Sequence, residues 1–63
     1  MRSVYVFCAD GFEEVEGLTA VDLLRRAGVS VTMVSIMGRT KITGARNISV
    51  NTDILIEDIK EEA

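Results

Sequence analysis

Val4 to Ala9 (VYVFCA) is an unbroken apolar run, rich in β-formers, that stops at Asp10-Gly11. A run with no polar side suits a strand covered on both faces, as in a parallel sheet flanked by helices. The residues that follow supply the helix such a sheet needs. The spacing predicts a helix from Phe12 or Glu13 to Ala27, and Asp10 and Glu13 have capping-box spacing with Asp10 as the cap. Glu13, Glu14 and Glu16 crowd its start while Arg25 and Arg26 occupy its last turn, and both placements favour the helix dipole. Gly28 then falls where a left-handed glycine ends a helix. Val29 to Met37 reads as a second strand, with Val29, Val31 and Met33 alternating against Ser30 and Thr32. Strand, helix and strand make a βαβ unit with parallel strands and a right-handed crossover.

Beyond that unit, Lys41 to Thr43 and Ile48 to Val50 read as short strands joined through Gly44-Ala45-Arg46-Asn47, a hairpin. Asp53 to Ala63 reads as a loop leading into a short helical turn. This architecture is unfinished, because two parallel strands and one helix leave a sheet face and an edge open.

Length sharpens the point. The chain has 63 residues, against roughly 100–200 for an ordinary domain. A chain this short buries only about 60% of its unfolded surface. Small domains usually add disulfides, metals or oligomerisation. With one cysteine, no histidine and no proline, a partner chain or a continuation of this one is the expected support. Something outside residues 1–63, a partner or a continuation, is expected to complete the α/β architecture.

Composition narrows the function classes. Hydrophobic residues make up 48% of the chain, far too many for a disordered segment. A net charge of −3 argues against non-specific nucleic-acid binding, which needs clustered Lys and Arg. No apolar run approaches the roughly 20 residues that span a bilayer. The short run near the N-terminus reads better as a strand than as a signal peptide, and one unpaired cysteine fits a reducing compartment. A globular cytoplasmic protein is expected, with no metal, no cofactor and no membrane partner.

On a helical projection of about 100° per residue, Gly17, Ala20, Val21, Leu23, Leu24 and Ala27 share one arc that should pack on the sheet. Glu16 lands on that arc, whereas Glu14, Asp22, Arg25 and Arg26 lie elsewhere. A carboxylate facing a sheet is costly unless it finds donors, takes a proton or lines a cleft. Free backbone amides of the first helical turn, or solvent, are one solution. The other is functional: Glu16 lies at the carboxyl end of the first strand, where α/β sheets build their sites, and a carboxylic acid there can bond a nucleophile supplied elsewhere. On the opposite side, Val15 and Leu18 form a small outward stripe beside Asp22, Arg25 and Arg26, which suggests a helix–helix contact in a homodimer.

The stretch Val6 to Gly28, VFCADGFEEVEGLTAVDLLRRAG, resembles the opening of the ThiJ/PfpI superfamily. It is most similar to the branch holding the parkinsonism-associated deglycase-like proteins and proteins assigned to thiazole monophosphate biosynthesis. The resemblance rests on a small-Gly-x-Glu-Glu-x-Glu turn followed by x-x-Asp-x-x-x-Arg-x-Gly on the helix. Thr43-Gly44-Ala45-Arg46 and Asn51-Thr52-Asp53 also look like that branch. The match runs along essentially all of this chain but only about the first third of a typical member. It implies a flavodoxin-like, class I glutamine amidotransferase-like sandwich with a cysteine on a strained strand-to-helix elbow. It also implies that a glutamate at the position of Glu16 bonds that cysteine, and that arginines at the positions of Arg26 and Arg46 lie near the site across a dimer interface, where they would bind substrate or an anion.

The family's nucleophilic cysteine, oxyanion amides and partner histidine have no counterpart in this chain. Cys8 does not match the nucleophile: it lies within the first strand, where a buried thiol behaves as a small hydrophobe. A complete protein of this kind is expected to be a cysteine-dependent hydrolase or lyase acting on reactive carbonyls, as a deglycase or glyoxalase, with a peptidase less favoured. Its substrate would be a small carbonyl compound or a glycated thiol or amine. The alternative is a redox-sensing or chaperone-like dimer of the same fold. The 63-residue chain by itself is expected to be an inactive fragment.

Overall fold

The computed structural model describes residues 3–59. They form β1 (Ser3–Cys8), α1 (Glu14–Arg26), β2 (Ser30–Ser35), β3 (Lys41–Thr43), β4 (Ser49–Asn51) and β5 (Ile54–Leu55), followed by a 3-10 turn at Ile56–Asp58. β1 and β2 run parallel, in register from Ser3 opposite Ser30 to Cys8 opposite Ser35. The α/β reading of the sequence and its strand–helix–strand unit therefore hold. β5 adds a third parallel strand on the far side of β2, pairing Val34 with Ile54 and Ser35 with Leu55. That pair of residues falls in the stretch expected to be a loop, and two residues carry no measurable periodicity. The helical turn expected in the tail is the 3-10 turn; residues 60–63 lie outside the described range.

The sheet order β1-β2-β5 makes β2 the central strand. Val34 and Ser35 are accordingly sealed from solvent, while Tyr5 and Phe7 on edge strand β1 stay 49% and 56% exposed. The hairpin is antiparallel, with Lys41 opposite Asn51 and Thr43 opposite Ser49. Asn47 turns it in the left-handed region at φ 67°, a conformation that asparagine tolerates better than most residues. One core joins the layers: Cys8, Val21, Val31, Met33 and Ile42 are buried together, with Val6, Phe12, Leu18, Leu24, Val29 and Val50 packed around them.

The helix departs from expectation at both its start and its phase. Asp10 does not cap it. Glu13 occupies the cap position with no side-chain bond, and Asp10 instead accepts from the Thr43 amide at 3.0 Å and pairs with Arg39. At the other end Gly28 takes φ 87° just past the helix, as its position predicted. The inward stripe is Glu14, Gly17, Leu18, Val21 and Leu24. Ala20, Leu23 and Ala27, expected on the sheet, are exposed, and Leu18, expected to face outward, is half-buried against the core. The buried part of the apolar arc shares one core with the sheet and with the hairpin. Ile42 and Val50 of the hairpin pack in that core with Leu18 and Val21, while Leu23 stays 59% exposed. Arg25, expected beside an outward stripe, spends its guanidinium inside the chain: it donates to the Val31 carbonyl at 2.8 Å and to Asp53 at 3.0 Å. Asp53 also accepts from the Met33 amide at 2.8 Å.

Candidate functional site

An open cavity of about 320 Å³ lies between the carboxyl half of β1 and the first turns of α1. Val6, Phe7 and Cys8 form one wall and Glu13, Glu16 and Gly17 the other, with Met33 behind them. Local sequence explains the placement. β1 ends at Cys8 because Asp10-Gly11 turns the chain, and the helix begins three residues later. The Phe12 ring then packs on Gly17, where even a β-carbon would lie 3.3 Å from it. A larger residue at 17 would push that ring away and deform the mouth of the cavity.

Glu16, expected on the sheet-facing arc, is exposed rather than packed on the sheet. Its side chain lines the cavity at the carboxyl end of β1. Cys8 shares that wall but is only 6% exposed. Its thiol donates to the Val6 carbonyl at 3.5 Å, and burial pushes its pKa up, the opposite of what a reactive thiolate needs.

The two arginines are not brought together. Arg46 sits on the hairpin turn, whose backbone is tied to the start of α1. Arg26 is in the last turn of the helix, about 15 Å along the axis from Glu16 at ~1.5 Å per residue, and lies 3.8 Å from Asp22. Neither lines the cavity.

Among the described residues the buried carboxylate is Glu14, only 3% exposed. Its Oε2 accepts from the backbone amides of Arg46 at 2.8 Å and Ile48 at 3.1 Å. Burial raises the pKa of such a group, but here the amides of Glu14 itself, Ile48 and Arg46 outweigh it and hold the carboxyl below the ordinary glutamate range. The amide of Glu14 adds this support without a well-formed hydrogen bond to Oε1, which has no partner among the described residues. The Asp10 carboxyl is likewise held low, first by the Thr43 amide and then by Arg39.

Both carboxylates fasten the hairpin to the β1–α1 junction, which gives that contact a pH dependence. A carboxyl with a depressed folded-state pKa adds stability that is complete above its unfolded pKa, about 4 for Asp and Glu. That stability is lost as pH falls through the folded value. Protection of the Thr43, Arg46 and Ile48 amides in the full-length protein, relative to their intrinsic exchange rates at each pH, is therefore expected to fall below about pH 4, before that of Val34 in the central strand. Protection at the three amides that survives as far into acid as that of Val34 would refute the assignment.

The sequence projection missed Glu14 because it treated the helix as packing on a sheet alone. The signal was present, since Glu14, Leu18 and Val21 stand at i, i+4 and i+7. Gly44 in the hairpin marks the place where a side chain comes close.

The DJ-1/PfpI family pattern matches residues 2–63. A Parkinson disease protein 7 homolog from Danio rerio is 33% identical over 61 residues, which is 97% of this chain and 32% of that protein. Among solved structures, the oxidized DJ-1 of Toxoplasma gondii superposes with a TM-score of 0.88 at 33% identity, covering 90% of this chain and 31% of that one. A DJ-1 superfamily protein from Salmonella typhimurium gives 0.89 at 28% identity, over 92% of this chain and 31% of that one. The chain thus spans about a third of the length of the relatives it matches. Those solved relatives carry the flavodoxin-like sandwich to which the parallel sheet and helix correspond. No helix among the described residues is long and apolar enough to cross a membrane. The ThiJ/PfpI resemblance read from the Glu-Glu-x-Glu turn is therefore the right one, and the chain belongs to the DJ-1/PfpI family.

Proposed function

We propose that this segment is the first third of a cysteine-dependent DJ-1/PfpI-type hydrolase or lyase that acts on reactive carbonyls, as a deglycase or glyoxalase. The observation that carries the reading is Glu16: a carboxyl group on the first turn of α1, opening into a cavity at the carboxyl end of β1. Sites of open α/β sheets gather at that end of the strands. In the proposed step a thiolate from the remainder of the domain adds to the carbonyl carbon of the substrate. A carbon–sulfur bond forms, and the electron pair of the carbonyl bond moves to oxygen, which takes up a proton. Glu16 holds the thiol and shuttles that proton.

Arg46 and Arg26, which the family resemblance places near the site across a dimer interface, would bind an anionic part of the substrate. The full-length protein would act as a cytoplasmic homodimer with Val15, which is 77% exposed, and Asp22 near the interface. The stripe of Ala20, Leu23 and Ala27 would be covered by the rest of the domain.

A second reading has its own support, since one relative was solved in an oxidized form. In that case the same cysteine, low in pKa and accessible, senses oxidants. Steady-state assay of the full-length protein with methylglyoxal separates the two. Sustained turnover to the hydroxy acid is expected. Stable conversion of the cysteine to sulfinic acid by peroxide, with no turnover, would replace the enzyme reading by the sensor. The 63-residue chain assayed alone is expected to be inactive, because its one thiol is buried.

A further inference from the structure

The turn from Thr43 to Ile48 is bound to the β1–α1 junction by two backbone bonds and by the carboxylates of Asp10 and Glu14. The Gly11 amide donates to the Thr43 carbonyl, and the Ala45 amide to the Phe12 carbonyl, each at 2.8 Å. The Gly44 amide closes the turn on the Ile48 carbonyl at 2.9 Å. Asp10 takes the Thr43 amide at the edge of this frame, and Glu14, the buried one of the two, takes the amides of Arg46 and Ile48 together on its Oε2. Its carboxyl group rests on the α-carbon of Gly44 so closely that an added β-carbon would lie only 2.2 Å from Cδ. No residue but glycine fits there with the carboxylate in place.

Arg46 is thereby held by its main chain and released at its side chain. Its residue is exposed, and among the described residues its guanidinium forms no close ion pair, acting on Glu14 only through its charge, whereas Arg25, Arg26 and Arg39 each pair with a carboxylate. A guanidinium loses less freedom on binding when its own backbone is already fixed, and its planar fork suits a carboxylate.

We propose that Glu14 is a positioning residue: its buried carboxylate fixes the Gly44–Ile48 turn so that Arg46 presents its guanidinium to the anionic group of an oxo-acid substrate. This rests on the carbonyl-chemistry reading and names the substrate class within it. Glu14 touches no substrate and acts only through Arg46.

The test uses the full-length protein with glyoxylate as the probe, and reads binding affinity and amide exchange without turnover. Glu14→Gln keeps the volume but replaces one carboxylate oxygen by a donor. Gly44→Ala drives a β-carbon into the carboxylate and serves as an independent perturbation should the first variant fold poorly. Each is expected to accelerate exchange at Arg46 and Ile48 at least about tenfold and to weaken glyoxylate binding about tenfold, as losing one charge-assisted contact does. Arg46→Ala should weaken binding equally, and adding Glu14→Gln to it should cost nothing more, because the two residues act as one unit. Additive losses in the double variant would overturn the proposal. So would unchanged affinity in both Glu14→Gln and Gly44→Ala, or no glyoxylate binding by the parent protein. If binding and coupling appear as expected while carbonyl turnover is absent, the positioning role stands and only the catalytic reading falls.

Discussion

Glu16→Leu in the full-length protein is expected to lower kcat/KM for methylglyoxal by at least about 100-fold, the usual cost of losing a positioned proton-transfer group. The expectation follows from where the helix puts this residue. Glu16 stands on the first turn of α1, lining the cavity beside Val6, Phe7 and Cys8. It is exposed and contributes nothing to the buried cluster. Leucine is close in size and is a good helix former, so the substitution should leave the melting temperature nearly unchanged. Exposed substitutions away from special features usually fall within about 0.5 kcal/mol of neutral. A large loss of rate with no loss of stability would separate chemistry from folding. Glu14→Gln is the internal comparison, since it changes a carboxylate two residues away and is expected to act on anion affinity instead. Turnover at the parental rate in the Glu16 variant would sink the role assigned to it. A variant that unfolds would show that the residue carries structure in the complete domain.

Some of this was legible in the sequence, and the reasons are local. The six-residue strand Ser3–Cys8 announced itself because its apolar run had no polar face. The helix end at Gly28 followed from chain geometry, since a left-handed residue after the last turn favours glycine. The hairpin strand at Lys41–Thr43 was placed to the residue, and its partner at Ser49–Asn51 within one. What could not be read were features fixed by packing between distant segments. The buried part of the helical arc shares its core with the docked hairpin, where Leu18 packs while Leu23 stays exposed. The same docking exchanged the two glutamates: Glu14 meets the turn amides at Arg46 and Ile48, and Glu16 stays in the open. Asp10 had the spacing of a cap, but the amide it satisfies belongs to Thr43, a donor that sequence distance conceals. The family was legible because Glu-Glu-x-Glu and its following Asp and Arg are contiguous. Arg25 looked like surface and is instead a clasp between α1, β2 and Asp53.

If the hairpin sets the packing of the helix, its anchor in the core should carry stability out of proportion to its length. That anchor is Ile42, the middle residue of the three-residue strand β3, with no exposed surface. It shares the buried cluster with Cys8 from β1, Val21 from α1, and Val31 and Met33 from β2. Ile42→Ala would therefore open a cavity at the point where every layer meets, and rigid strand backbones limit how far the walls can close. Loss of a fully buried isoleucine side chain costs about 2–5 kcal/mol. In a protein of the relatives' length this corresponds to roughly 2–4 °C of melting temperature per kcal/mol. The 63-residue chain alone, with its small core, would lose most of its stability. Ile48→Ala provides the contrast, because Ile48 lies in the same hairpin yet is 52% exposed, and its backbone bond to Glu14 survives the change. It should cost no more than about 0.5 kcal/mol. Urea denaturation of both variants decides the matter. A large loss for Ile42→Ala alone means that the hairpin is a structural layer of the domain and that Arg46 is carried on a rigid mount. Equal and small losses would mean that the hairpin is only loosely laid on the sheet, and the positioning argument for Glu14 would lose its footing as well.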